Sequence, residues 1–194
     1  MYSKKQIYRV MTVSAGTKTA DYFSDILPRG HYEIMATASS AGEARRIFAD
    51  NPADIVIINA PLPDDFGVNL AIDMADESTS GVMLLVKNEL YEQVANKVEE
   101  HGILTLPRPN SRQAVLQAVQ LLAATRARLK KYEDKAQDLQ SRMEDIRLIN
   151  RAKLLLMERL NMTEQQAHRF VEKSAMDHSI KRREVAEKII SMYD

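Results

Sequence analysis

The chain has 194 residues, 45% hydrophobic and 28% charged, with 27 basic and 27 acidic side chains and no cysteine. That composition suits a folded chain and excludes collagen-like and disordered classes, while the missing thiols exclude disulfides, thiolate nucleophiles and cysteine-ligated zinc or iron-sulfur sites. No stretch reaches the roughly 20 apolar residues of a membrane helix.

Near the start, Lys4 and Lys5 precede an apolar patch as in a secretion signal, but Arg9 interrupts it, so we expect no cleaved leader, no membrane association and a cytoplasmic chain. From Ile7 to about Gln120, short β-rich runs alternate with helical patterns. Segments 8–15, 33–39, 54–60, 81–87 and 102–106 read as strands. Segments 20–28, 41–51, 67–78, 89–101 and 111–122 repeat apolar residues every three or four positions, as helices do. Strand-then-helix units in series predict an α/β fold, a five-stranded doubly wound parallel sheet with helices on both faces. Ile55, Val56, Ile57 and Ile58 are apolar throughout, as a strand covered on both sides requires. Asn51-Pro52 closes the preceding helix, because proline pushes the residue before it out of the α region.

Beyond Ser111 there is neither proline nor glycine, so a long helix followed by shorter ones is expected. Leu122, Leu129, Ala136 and Met143 fall at heptad position a and Thr125, Tyr132, Leu139 and Ile146 at d, an apolar seam that one isolated helix cannot bury. A homodimeric coiled coil covers it; packing back on the chain's own sheet domain is the alternative, disfavoured by the polar stretch 130–142. Arg128 facing Glu133 favours a parallel pair and Arg142 facing Arg147 opposes it, so the charges leave orientation open.

Thr163 with Gln166 has the form of a capping box and predicts a new helix with Ala167, Phe170, Val171, Ser174 and Ala175 on its apolar face. Asp177, His178 and Ser179 supply a stop and the next N-cap, followed by Ile180, Val185, Ala186, Ile189 and Ile190. With Leu155, Leu156 and Leu160 these make the core of a three-helix unit. The expected division is 1–122, 123–146 and 147–194. Up to Arg112 there are 11 basic against 15 acidic residues, and after it 16 against 12. A basic second half suits a polyanion, and equally an ordinary solvated face.

In the first segment, Asn59 ends the third strand, with Pro63 four residues on and Gly67 eight residues on. This spacing resembles the receiver domain of bacterial response regulators, whose phosphoacceptor aspartate stands where this chain has Asn59. An amide yields no acyl phosphate. The family's magnesium-binding acidic pair falls on Val13, Ser14 and Ala15, its hydroxyl residue after strand four near Val86 or Lys87, and its Lys-Pro on Arg108-Pro109. The resemblance therefore implies a pseudo-receiver, with Asn59 a degenerate acceptor and Arg108 a degenerate switch position, no metal and no cofactor. Asp64 and Asp65 are read as solvated turn residues.

The stretch 147–190 carries Ala152-Lys153, Leu156-Met157, Thr163, Ala167, Ala175-Met176 and Val185-Ala186 at spacings that resemble the ANTAR domain, the three-helix RNA-binding module of antitermination regulators. It departs at Leu154, where the family often has glycine, and at His168, where it often has an aromatic residue. The alanines and methionines are read as core. Arg151, Lys153, Arg169, Lys173, Lys181, Arg182 and Arg183, with Ser179 at the start of the third helix, are the RNA-contact candidates. His168 and His178 are read as capping or surface residues.

The resemblance implies a homodimeric, non-enzymatic regulator that binds paired stem-loops in a nascent leader RNA and is held in check by a ligand-sensing partner protein. Two other readings stand beside it: a phosphorelay regulator using Asp64 or Asp65, and a protein-interaction adaptor that binds no nucleic acid. No nucleophile-base pair or glycine-rich phosphate loop supports an enzyme.

Overall fold

The computed structural model describes residues 6–16 and 18–193; Lys4 and Lys5 of the leader-like start lie outside the described residues. In chain order the elements are β1 (Tyr8–Ser14), α1 (Lys18–Ile26), β2 (Tyr32–Ala38), α2 (Ala41–Asp50), β3 (Ile55–Asn59), α3 (Val68–Asp76), β4 (Gly81–Lys87), α4 (Tyr91–Val98), β5 (Leu104–Arg108), α5 (Arg112–Leu160), α6 (Glu164–Asp177) and α7 (Arg182–Tyr193). They form two compact units, residues 1–131 and 132–194.

In the first unit the strands lie in the order β2, β1, β3, β4, β5, all parallel, as the alternating pattern predicted. Because side chains alternate across a strand, β3 sends Val56 and Ile58 to one face and Ile55 and Ile57 to the other, and both faces are covered. Val56 and Ile58 pack with Ala44 and Phe48 of α2, Leu70 and Met74 of α3, and Val94 of α4. Ile55 and Ile57 pack with Phe23 and Ile26 of α1 and with Val115, Val119 and Leu122 of α5. The fifth strand begins and ends later than the 102–106 segment expected, because Gly102 takes a left-handed φ of 68° and turns the chain first.

The first correction concerns the seam. Leu122, expected at its start, is only 6% exposed and belongs to the sheet core. It packs so closely on Gly81 that a Cβ there would come within 3.0 Å of it. The helix predicted to close the sheet domain and the helix predicted to carry the seam are one continuous 49-residue α5. Its first turns stay with the sheet: Ala123 is buried, and the Arg126 guanidinium stands 3.7 Å from Asp54.

In the second unit, α6 and α7 enclose Ala152, Leu156, Ala167, Val171, Ala175, Val185, Ala186 and Ile189 with the last part of α5. Thr163 caps α6 as its spacing predicted: its hydroxyl accepts from the Gln166 N–H while the Gln166 side chain accepts from the Thr163 N–H. Three expected core residues are not buried. Phe170, Leu160 and Met176 face outward, Met176 at 79% exposure, because the small alanines draw the helices together and leave no gap for a long side chain.

Ser179 is also displaced from its expected place. It does not cap α7; it takes a left-handed φ of 54° and closes α6. The Ser179 N–H donates to the Met176 carbonyl at 3.1 Å and the Ile180 N–H to the Ala175 carbonyl at 3.0 Å, the paired bonds of a Schellman closure. Lys181 opens α7: its carbonyl accepts from the Val185 N–H, and its own N–H donates to Glu184.

Candidate functional site

Two places concentrate the sequence-predicted functional residues, one in each unit. In the first unit, Ser14 and Asn59 are register partners at the carboxyl ends of β1 and β3, where the strand order reverses and ligands of such sheets collect. The Asn59 Nδ2 donates to Ser14 Oγ at 3.2 Å. The residue level with Asn59 on β4 is Leu85, and the predicted Val86 and Lys87 follow it at the end of that strand. Arg108 ends β5, and its Nη2 donates to the Ala60 carbonyl, a reach across β4 that no sequence spacing signals.

Asp64 and Asp65 have structural roles instead of being merely solvated. Asp64 lies 22 residues or more from its partners, yet its two carboxylate oxygens accept from Ala41 N–H at 2.8 Å and Gly42 N–H at 2.9 Å, across the first turn of α2. These backbone donors, Gly42 foremost, hold its carboxyl below the usual carboxylate range. Asp65 accepts from the Gly67 N–H. Gly67 caps α3 with a left-handed φ of 99°, and an added Cβ would meet Ile58 at 3.1 Å, which is the physical reason for glycine at this spacing. Among the described residues, no three His, Asp or Glu side chains stand close enough to hold a metal ion.

In the second unit the predicted RNA contacts divide by what already binds them. Lys153 pairs with Glu164 at 2.9 Å, and Arg182 with Glu172 at 3.3 Å. Arg183 bridges Asp145 of α5 at 3.1 Å and Glu187 of α7 at 2.9 Å, and these two acids raise its pKa, Glu187 the more. Arg183 is therefore a tie between helices. Arg169, Lys173 and Lys181 are exposed and, among the described residues, engage no acid; the first two sit four residues apart on one face of α6. Arg151 is exposed on α5.

Beside Arg169, the exposed Phe170 borders a cleft of about 190 Å3 with His178 and Lys188 at its edge. The His178 Nδ1 lies 2.9 Å from the Ser174 carbonyl, to which this nitrogen donates. The helical spacing of Phe170 had marked it as core, and only its exposure reveals a ring available for contact. His168 pairs with Glu172 on the surface of α6. Along α5, Leu129, Tyr132, Leu139, Met143 and Ile146 are all exposed, Leu139 at 61%, and Ala136 is exposed with them.

A receiver-like α/β unit is followed by a three-helix module, and comparison with known proteins finds a likeness for each. The receiver fold recurs in the signal receiver domain of an HD domain-containing protein from Pseudomonas fluorescens, at TM-score 0.59 and 19% identity over 68% of this chain and 96% of that one. A LuxR-family two-component response regulator from Aurantimonas matches at TM-score 0.55 and 23% identity over 61% of this chain and 87% of that one. Residues 137–190 match the ANTAR domain, so the chain carries an ANTAR domain at its C-terminal side. A relative is the transcriptional regulatory protein PdtaR of Mycobacterium tuberculosis, 25% identical over 167 residues, which span 86% of this chain and 82% of the relative.

Proposed function

We propose that this chain is a cytoplasmic RNA-binding antitermination regulator that acts as a homodimer on paired stem-loops of a nascent leader transcript, without phosphorylation of its receiver-like unit. The observation that carries the reading is the ANTAR match over 137–190, folded as a three-helix unit whose exposed cations Arg169, Lys173 and Lys181 engage no acid among the described residues. Phosphate backbones attract such cations, and the unpaired bases of a loop offer edges and faces that an A-form stem hides. Phe170 stands beside them as a stacking surface. The exposed apolar seam Leu129, Tyr132, Ala136, Leu139, Met143 and Ile146 supports pairing of two chains, and two modules on one coiled coil raise the effective concentration for a two-hairpin target.

Control without phosphoryl transfer is supported by Asn59 at the acceptor position, by Asp64, both of whose oxygens accept from backbone N–H groups, and by Asp65, whose Oδ1 accepts from the Gly67 N–H. A ligand-sensing partner protein is then the external control, and the chain itself catalyses no reaction.

A gel shift with leader RNA bearing two hairpins, against the same RNA with one deleted and at rising salt, tests the RNA reading. Tighter binding of the two-hairpin RNA that weakens with salt is expected; no binding, or equal binding to any RNA, refutes it. Incubation with acetyl phosphate and magnesium is expected to leave the intact mass unchanged, and a covalent gain on Asp64 or Asp65 would restore the phosphorelay reading.

A further inference from the structure

An open cavity lies at the carboxyl edge of the sheet. It encloses about 320 Å3, with Tyr22, Leu85 and Pro109 as apolar walls and Asn59, Arg108 and Asn110 as polar ones. Arg108 brings the positive charge. Its guanidinium has one hydrogen bond, from Nη2 to the Ala60 carbonyl; its Nε is buried without an acceptor, and among the described residues no carboxylate pairs with it. The acids that follow Asn59 in the next turn are committed elsewhere, Asp64 to the first turn of α2 and Asp65 to Gly67. Asn110 gives its Nδ2 to the Pro107 carbonyl at 3.2 Å, which leaves its oxygen as an acceptor.

A guanidinium fork without an anion, at the rim of an apolar wall, is a recognition set of defined chemistry. The planar fork matches a carboxylate, and the wall of Tyr22, Leu85 and Pro109 accepts a hydrocarbon or aromatic body. A phosphate group asks for several convergent N–H donors or a cation cluster, and among the described residues that line the cavity Arg108 is the one cation. We infer that this cavity binds a small organic carboxylate with an apolar body. The occupant touches Pro109 and Asn110, the residues that lead from β5 into α5, so it sits at the root of the helix that carries the exposed seam.

Calorimetric titration of the full chain with sodium benzoate tests this, with benzamide and sodium phosphate as comparators. Saturable benzoate binding is expected, with both comparators weaker by about tenfold or more, the range of a charge-assisted hydrogen bond. Arg108→Gln should cost a similar factor. Tyr22→Ala, which leaves the Arg108 bond to Ala60 untouched, should weaken benzoate even if the arginine variant melts early. Absence of saturable benzoate binding, equal binding of phosphate, or wild-type affinity in a folded Arg108→Gln would overturn the assignment. None of these readouts involves RNA, so their failure leaves the antiterminator reading standing.

Discussion

Ser179 and Gly67 both hold left-handed backbone, but only one of them is a residue suited to it. For a residue with a Cβ that conformation costs roughly 1–2 kcal/mol, so Ser179→Gly is expected to raise the melting temperature of the second unit. Gly67→Ala should lower the stability of the first by a similar amount or more, since the new Cβ also meets Ile58. Thermal melts of both variants check the pair. Among the cations, Lys181→Ala and Arg169→Ala should weaken RNA binding at unchanged melting temperature, whereas Arg183→Ala should lower the melting temperature by releasing Asp145 and Glu187. If Arg183→Ala melts as the parent does, the tie between α5 and α7 is not structural. The sequence could not separate these arginines and lysines: Lys181, Arg182 and Arg183 are adjacent, and the acid that distinguishes Arg183 lies 38 residues away.

At the scale of elements, the helices were legible because each buries a periodic face, and the strands because each is a short apolar run. The runs of β1, β3 and β4 and the absence of proline and glycine after Ser111 translate directly into the sheet and α5. The same periodicity misled where an apolar stripe changes partner along one helix. Leu122 and Leu129 share a heptad position, yet the first is covered by the sheet and the second is exposed, because the heptad pattern records polarity and not which neighbour is within reach. The end of α6 was similarly misread at Ser179, since a serine favours an N-cap and only its φ reveals the helix closure. Ala175→Glu should unfold the three-helix unit, because the carboxylate would enter a core with no polar partner; loss of helical circular dichroism with the sheet domain still folded is the expected result. Leu139→Glu with Ile146→Glu should instead leave the fold intact and shift the chain toward monomer in sedimentation, as both side chains are exposed. A variant pair that stays dimeric would remove the seam from the account.

For the molecule as a whole, acid is expected to act first through capped carboxylates. The Asp64 carboxyl is held below its ordinary value by the Gly42 and Ala41 N–H groups. A depressed folded-state pKa means that its contribution is complete above the unfolded carboxylate value of about 4 and is lost as pH falls through the folded one. Stability of the first unit, followed by urea denaturation, should therefore drop below about pH 4, and Asp64→Asn should shrink that drop. An unchanged slope in the variant would assign acid sensitivity to other groups. The cap was invisible in the sequence because a turn carboxylate beside proline and glycine looks solvated until α2 is placed against it.

If the exposed seam of α5 pairs two chains as proposed, a consequence follows in the arithmetic of gene dosage. A regulator that reads RNA only as a pair is governed by its own abundance. Below the concentration at which half the chains are paired, the active species grows with the square of the total, so a doubling of synthesis raises it about fourfold. A cell could thus sharpen its response by setting the expression level alone, with no change in the affinity of any surface for RNA.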